Sequence, residues 1–548
     1  MRSDPYGQWP SPISAGDLGQ ASLRRSEGFV DDGKVYWLQS NPAEKGRTSL
    51  VTLDENGELV DLTPQWDCRT SIHAYGGNCV AIQAGQVCFY DRTTSRVWAG
   101  PLDGELFPIT GEGPWVFGGL SFLNNHQVVC VREDHSDWLN EHEDTLVVLD
   151  LAPNDSTGGT VIASGADFYF SPAVSANGWI AWMEYDHPSM PWGTTRILAQ
   201  SPQGRRHIVS DAIDVSAVHP QWDSDGTLVF LSDESGFWNF YRWTPGEVTR
   251  LNDHDMDFCE PVWVLSTPPY ALLTTDHGTR IGCTWWEDGF AHLGCLEPDG
   301  TLSAMGVYGT ATLAPANHGQ SVVLLGSPTA PTSLNLMNWE TQVLTTFTAE
   351  QRRFDDDCIS APTQVSWSNS AGTQQAYGWF YPPTPSLGNH EGSPPVIVMA
   401  HGGPTAYSPA LFSLTKQFFT SRGIAILDVN YSGSATMGRA YRDRLNNNWG
   451  VLDVSDCVDG AQYLVSQGLV DPSRMAMMGG SAGGFTTLAA LTTTNVFSAG
   501  ISMYGIADLE ALVHDTIKFE AHYTQSLVAD YPQERSVYVD RSPITHVD

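Results

Sequence analysis

RMAMMGGSAGGFTTLAA, residues 474–490, decides the fold of this chain. The apolar run 475–478 has the length of a short buried strand, Gly479-Gly480-Ser481-Ala482-Gly483 follows it, and 485–491 carries helix-forming spacing. Strand, sharp turn and helix in that order put Ser481 at the apex of G-x-S-x-G. Such an elbow holds the hydroxyl clear of the backbone, and Gly479, Gly480 and Gly483 let strand and helix approach without Cβ clashes. Ser481 is therefore the candidate nucleophile.

Upstream, PVIVMA (395–400) reads as a second buried strand running into His401-Gly402-Gly403-Pro404. Acyl transfer needs two N–H groups aimed at the developing oxyanion, and glycine leaves its amide open to a substrate carbonyl. The amides of Gly403 and Ala482 are the candidate donors. Around these motifs the pattern predicts antiparallel strands at 364–367 and 377–381. Alternating strands (395–400, 424–430, 475–478, 499–503) and helices (413–422, 454–466, 485–493) follow. That order specifies a doubly wound, mostly parallel sheet of the α/β-hydrolase kind over 355–548.

Residues 29–354, after an N-terminal segment 1–28, are different: short alternating strands and turns, rich in Trp and Tyr, with little helical period. The stretch from Ser171 through Asn177-Gly178 to Trp182 recurs at a shift of 48 residues as His219 through Asp225-Gly226 to Phe230. Weaker copies of the second strand follow Gly33, Gly85, His126, Pro268 and Gly319, giving spacings of 52, 41, 52, 48, 42 and 51 residues. A period of about 40 to 50 residues in an all-β region predicts propeller blades, seven here; two unrelated β-sandwiches are the alternative.

Asp and Glu number 62 against 27 Lys and Arg, a net charge of -35 that disfavours nucleic acid and anionic membranes. The nine cysteines are scattered without C-x-x-C or metal-ligand spacing, so they read as reduced core thiols, and neither a metal nor a cofactor is expected. No apolar run reaches the roughly 18 residues of a membrane span, and the N-terminus lacks a signal-type apolar region; a cytoplasmic location is expected.

Further stretches carry a specific resemblance: QWPSPIS, RTSIHAYGG (69–77), YDHPSMPWG (185–193), SDESGFWNFYRW (232–243), HGGP, NYSGSATMGRAYR (430–442), NWGVLDVSD (448–456), GGSAGG and RSPITHVD. With these the chain resembles the prolyl oligopeptidase family of serine peptidases, in particular its acylaminoacyl-peptidase and dipeptidyl-aminopeptidase-like branch. The resemblance implies a peptidase for short peptides, with Ser481 as nucleophile and the propeller screening the site. Ser432 stands where the family usually has arginine. No paired-glutamate motif of the dipeptidyl-peptidase kind is visible.

A serine hydroxyl needs a histidine to take its proton and a carboxylate to fix that histidine, in the chain order Ser, Asp, His. Within the 67 residues after Ser481 the candidates are Asp508, Asp515, Asp530, Asp540, His514, His522 and His546. None has the expected placement: His514 and His522 fall in a segment that reads as helix, and His546 matches a position that is not catalytic in the family. The resemblance implies that the triad aspartate and histidine, and the last strands of the sheet, lie beyond Asp548. Strand 499–503 is then expected as an exposed apolar edge. A catalytically inactive propeller-hydrolase, acting as a binding or scaffold protein, is the alternative.

Overall fold

The structure, a computed structural model, describes residues 4–19, 23–137, 141–153, 155–276, 278–349, 353–370, 372, 374–384, 386–388 and 391–547. Seven four-stranded antiparallel meanders follow one another over 24–61, 80–108, 115–163, 168–210, 217–250, 271–308 and 310–349. They form a seven-bladed β-propeller. Glycine makes several of the turns inside the blades: Gly33, Gly85, Gly178, Gly226 and Gly319 sit at φ between 71° and 83°, where a side chain is strained.

Each meander has two apolar faces and buries them on its neighbours, so the core runs around the ring. The ring closes by packing, not by a strand shared between first and last blades. Val30, Val35 and Trp37 of the first blade share a cluster with Val322 and Leu334 of the last, and Asn317 donates to the Val30 carbonyl at 2.8 Å.

One blade corrects the sequence expectation. The copy placed after Pro268 puts its second strand on Tyr270 and Leu272, but Ala271–Thr275 is the first strand of the sixth blade and Gly278–Glu287 the second. Tyr270 and Leu272 mimic the apolar pattern of a second strand. The sequence between the first and second strands of this blade lacks the Asn-Gly or Asp-Gly pair seen elsewhere.

The second half forms a six-stranded sheet. Its order runs Thr363–Ser368, Gln375–Tyr381, Ala425–Asn430, Val396–Ala400, Met475–Gly480 and Ala499–Met503. The first two pairings are antiparallel and the last three parallel. Helices Leu414–Thr420, Leu452–Ser466 and Ala482–Thr493 alternate with the parallel strands, as an α/β sheet requires. Ser413 caps the first of these helices by accepting from the Lys416 amide.

Ala499–Met503 lies at the edge, pairing among the described residues with Met475–Gly480 alone, and all five of its residues are exposed. All nine cysteines are buried thiols. Among the described residues no helix is long and apolar enough to cross a membrane.

Candidate active site

The elbow forms where strand Met475–Gly480 gives way to helix Ala482–Thr493. Ser481 sits between them at φ 53°, ψ -123°, outside the regions that L-residues prefer, and its side chain is exposed. The Ser481 amide donates to the Met503 carbonyl at 3.0 Å and the Phe485 amide donates back to the Ser481 carbonyl at 3.0 Å, so the strained residue is held from both sides. Two glycines make the close approach possible. A Cβ on Gly479 would lie 2.2 Å from the Gly483 carbonyl oxygen, and one on Gly483 would lie 2.1 Å from that of Ala400.

Strand Val396–Ala400 pairs in parallel with the elbow strand, Ala400 opposite Gly479, which carries His401-Gly402-Gly403 alongside the serine. A Cβ on Gly402 would lie 3.4 Å from that of Ser481. His401 is not a base here. Its ring is stacked on Tyr431 at 4.2 Å, with Nε2 2.7 Å from Ser434 Oγ and Nδ1 2.8 Å from the Gly402 carbonyl. Burial pushes it down to about 4, so it stays neutral and shapes the loop.

The loop beyond is clamped from both halves of the chain. Trp263 Nε1 donates to the Thr405 carbonyl at 2.7 Å, while the Thr405 amide donates to Tyr523 Oη at 3.1 Å. Sequence reasoning missed this clamp, since its partners lie 142 and 118 positions apart. Behind the elbow, fully buried Asp453 accepts from Thr486 Oγ1 at 2.6 Å and from the Gly450 amide at 2.7 Å. Burial nevertheless raises its carboxyl to about 6.

No described histidine is hydrogen-bonded to Ser481. His514 Nε2 meets Tyr531 Oη at 3.0 Å, His522 packs its ring on His187 at 4.7 Å, and His546 Nε2 donates to the Asp540 carbonyl at 2.7 Å. Asp508 caps helix Leu509–His514, accepting from the amides of Glu510 and Ala511, and Asp515, Asp530 and Asp540 are exposed. The segment expected as one helix is broken. Helix Leu509–His514, a 3-10 turn Lys518–Glu520 and helix Tyr523–Leu527 replace it, with His522 at the cap of the last.

A cavity of about 740 Å³ opens between propeller and sheet, lined in part by Trp192, Thr405, Arg439, Arg442 and Tyr523. Beside it the two halves are riveted together. Asp233, with its side chain wholly buried, receives Arg439 Nε at 2.9 Å and Arg442 Nη2 at 2.6 Å, and the Arg442 guanidinium lies 4.2 Å over the Trp238 ring.

A model of the prolyl oligopeptidase family matches residues 410–548. The solved structure of a Mycobacterium tuberculosis puromycin-hydrolyzing peptidase is 32% identical and superposes with a TM-score of 0.91, covering 100% of this chain and 87% of that one. The chain belongs to the prolyl oligopeptidase family. Puromycin hydrolase, 29% identical with a TM-score of 0.92, has the same coverage. Dipeptidyl aminopeptidase BIII of Pseudoxanthomonas mexicana is 31% identical over 160 residues, 28% of this chain and 23% of that enzyme, so the shared stretch spans about a quarter of that relative. Family motifs now acquire positions: SDESGFWNFYRW supplies Asp233 and Trp238, NYSGSATMGRAYR supplies Arg439 and Arg442, and they meet across the two halves. Ser432, the departure from the usual arginine, is buried and donates its amide to Asp456 at 2.7 Å.

Proposed function

We propose that the chain carries the nucleophile and oxyanion donors of a serine peptidase acting on short peptides and on aminoacyl amides of the puromycin kind. The carrying observation is the backbone of Ser481: positive φ, exposed side chain, glycines on both sides and Gly402-Gly403 alongside. Ser481 Oγ attacks the scissile carbonyl, and the amides of Gly403 and Ala482 receive the developing oxyanion. No described histidine is hydrogen-bonded to Ser481, and His401, His514, His522 and His546 are each engaged elsewhere. Puromycin enters through the two solved relatives, whose names carry that hydrolysis. Exclusion of folded proteins follows from the propeller standing over the site.

In the natural protein, Ser481→Ala lowers kcat on a chromogenic aminoacyl or short-peptide amide by about 10⁴-fold or more. Unchanged turnover in that variant overturns the assignment. A second reading, a binding protein without turnover, is favoured by one observation: no described histidine is bonded to Ser481. Ser481-dependent hydrolysis by the 548-residue chain alone contradicts it.

A further inference from the structure

The third blade carries a side-chain cluster unrelated to the elbow. Strands Gln127–Asp134 and Glu143–Asp150 pair antiparallel with Glu133 opposite Asp144. Because side chains alternate between faces, His135 shares a face with Glu133, and His142 shares one with Asp144. The sequence thus places Glu-x-His and His-x-Asp on one side of a hairpin. Cysteine spacing gave no hint of a metal, but this symmetric pattern, read with the hairpin, is a metal-ligand signature.

Two carboxylates directly opposed on a buried face repel unless positive charge lies between them. The Glu133 and Asp144 side chains are 3% and 0% exposed. Asp144 is provided for: Lys518 Nζ from the hydrolase half lies 3.0 Å from Oδ1, and His73 Nε2 lies 2.7 Å from Oδ2. Glu133 has no Lys or Arg of its own within ion-pair distance among the described residues. Its Oε1 accepts from the His73 amide at 2.5 Å, and two imidazoles face the carboxylate, His135 Nε2 at 3.0 Å from Oε2 and His142 Nε2 at 3.8 Å from Oε1.

The orientation of His142 is decisive. Its Nδ1 lies 2.8 Å from Asp144 Oδ1. An N–H donated there leaves the Nε2 lone pair turned toward Glu133 and His135. That is the carboxylate–histidine–metal arrangement, in which the outer carboxylate fixes the ligand's tautomer. Tetrahedral ligands about 2.05 Å from zinc lie about 3.3 Å apart. Each imidazole lies near that separation from one carboxylate oxygen, His135 Nε2 3.0 Å from Oε2 and His142 Nε2 3.8 Å from Oε1. The three donor atoms all lie within 4.8 Å of one another. His135, with 43% of its side chain exposed, provides the entry path.

We propose that Glu133, His135 and His142 bind a first-row divalent cation, zinc foremost, in a three-ligand site with Asp144 as the outer carboxylate. Two imidazoles and one carboxylate suit zinc and its neighbours and not magnesium or calcium, which take oxygen donors. The site lies next to the seam between the two halves: Lys518 holds Asp144, and Phe519 stacks on His73 at 6.2 Å. A bound cation ties the two ends of the hairpin together beneath that seam and raises the thermal stability of the whole chain.

The test is titration of the tag-free 548-residue chain, stripped with a chelator, with zinc chloride at pH 7.5 by calorimetry. Thermal unfolding is followed with and without zinc. One equivalent is expected to bind and to raise the midpoint. His135→Ala and His142→Ala each weaken binding about tenfold or more, whereas His126→Ala, exposed in the turn just before strand Gln127–Asp134, leaves it intact. His135 is exposed enough for its truncation to leave folding undisturbed. Absence of zinc binding by the wild-type chain, or binding that survives both ligand substitutions, overturns the proposal.

Discussion

Replacing Gly483 by alanine tests whether close approach of helix and strand builds the elbow. In an unobstructed helix the change stabilises by about 1 kcal/mol, because glycine is the poorer helix former. Gly483 is buried in the first turn of helix Ala482–Thr493 at an ordinary helical φ, so no backbone strain opposes the new side chain. Space does. The added Cβ would lie 2.1 Å from the Ala400 oxygen, 2.7 Å from the Ala400 carbonyl carbon and 2.7 Å from the His401 oxygen.

All three are backbone atoms of the neighbouring segment, so no side chain can swing away. Relief requires strand and helix to part by about 1 Å, and overpacking of this kind costs about 1–3 kcal/mol or more. The expected outcome is a net destabilisation of about 1–3 kcal/mol in urea unfolding of the hydrolase half. Slower reaction of Ser481 with an electrophile accompanies it, because Gly402-Gly403 moves with Ala400. An alanine variant as stable as wild type, or more so, refutes the packing argument.

Three other outcomes follow from the same geometry. Arg442→Met leaves buried Asp233 with Arg439 alone and is expected to cost about 3–5 kcal/mol, read as a lower midpoint in thermal unfolding. Trp263→Phe removes the donor to Thr405 and is expected to lower kcat about tenfold with little change in KM, if the loop it holds carries the proposed oxyanion donor Gly403. Asp453 is a carboxyl raised by burial to about 6 from 3.8, so its contribution to stability is complete below about pH 4 and lost as pH rises through 6. The gap of about two units is worth about 3 kcal/mol, and Asp453→Asn is expected to flatten the pH dependence of urea midpoints between pH 4 and 7.

The strand–turn–helix order around Ser481 was legible in the sequence because its determinants are contiguous: Gly479 to Gly483 and the apolar strand before them suffice. The hydrolase strands and helices likewise fell within a few residues of their expected bounds, since alternation of short apolar runs with helical spacing is a local signal. Blade count was legible through turn glycines; the sixth blade slipped by one strand because Tyr270 and Leu272 imitate the missing pattern.

What could not be read is what folding brings from afar. Asp233 and Arg442 lie 209 positions apart, and Trp263 reaches Thr405 across 142. Glu133, His135 and His142 are local in sequence, yet their convergence depends on which strands pair and in what register. Neutral His401 offers a further lesson. It adjoins the serine's loop, but only its surroundings reveal that burial and the Tyr431 stack withhold it from proton transfer.

The most direct test of the central claim is mass spectrometry of the natural protein after reaction with a fluorophosphonate. One adduct on the peptide containing Ser481, absent in Ser481→Ala, is the predicted result. An unmodified protein, or an adduct on another residue that persists in Ser481→Ala, contradicts the assignment of Ser481 as nucleophile.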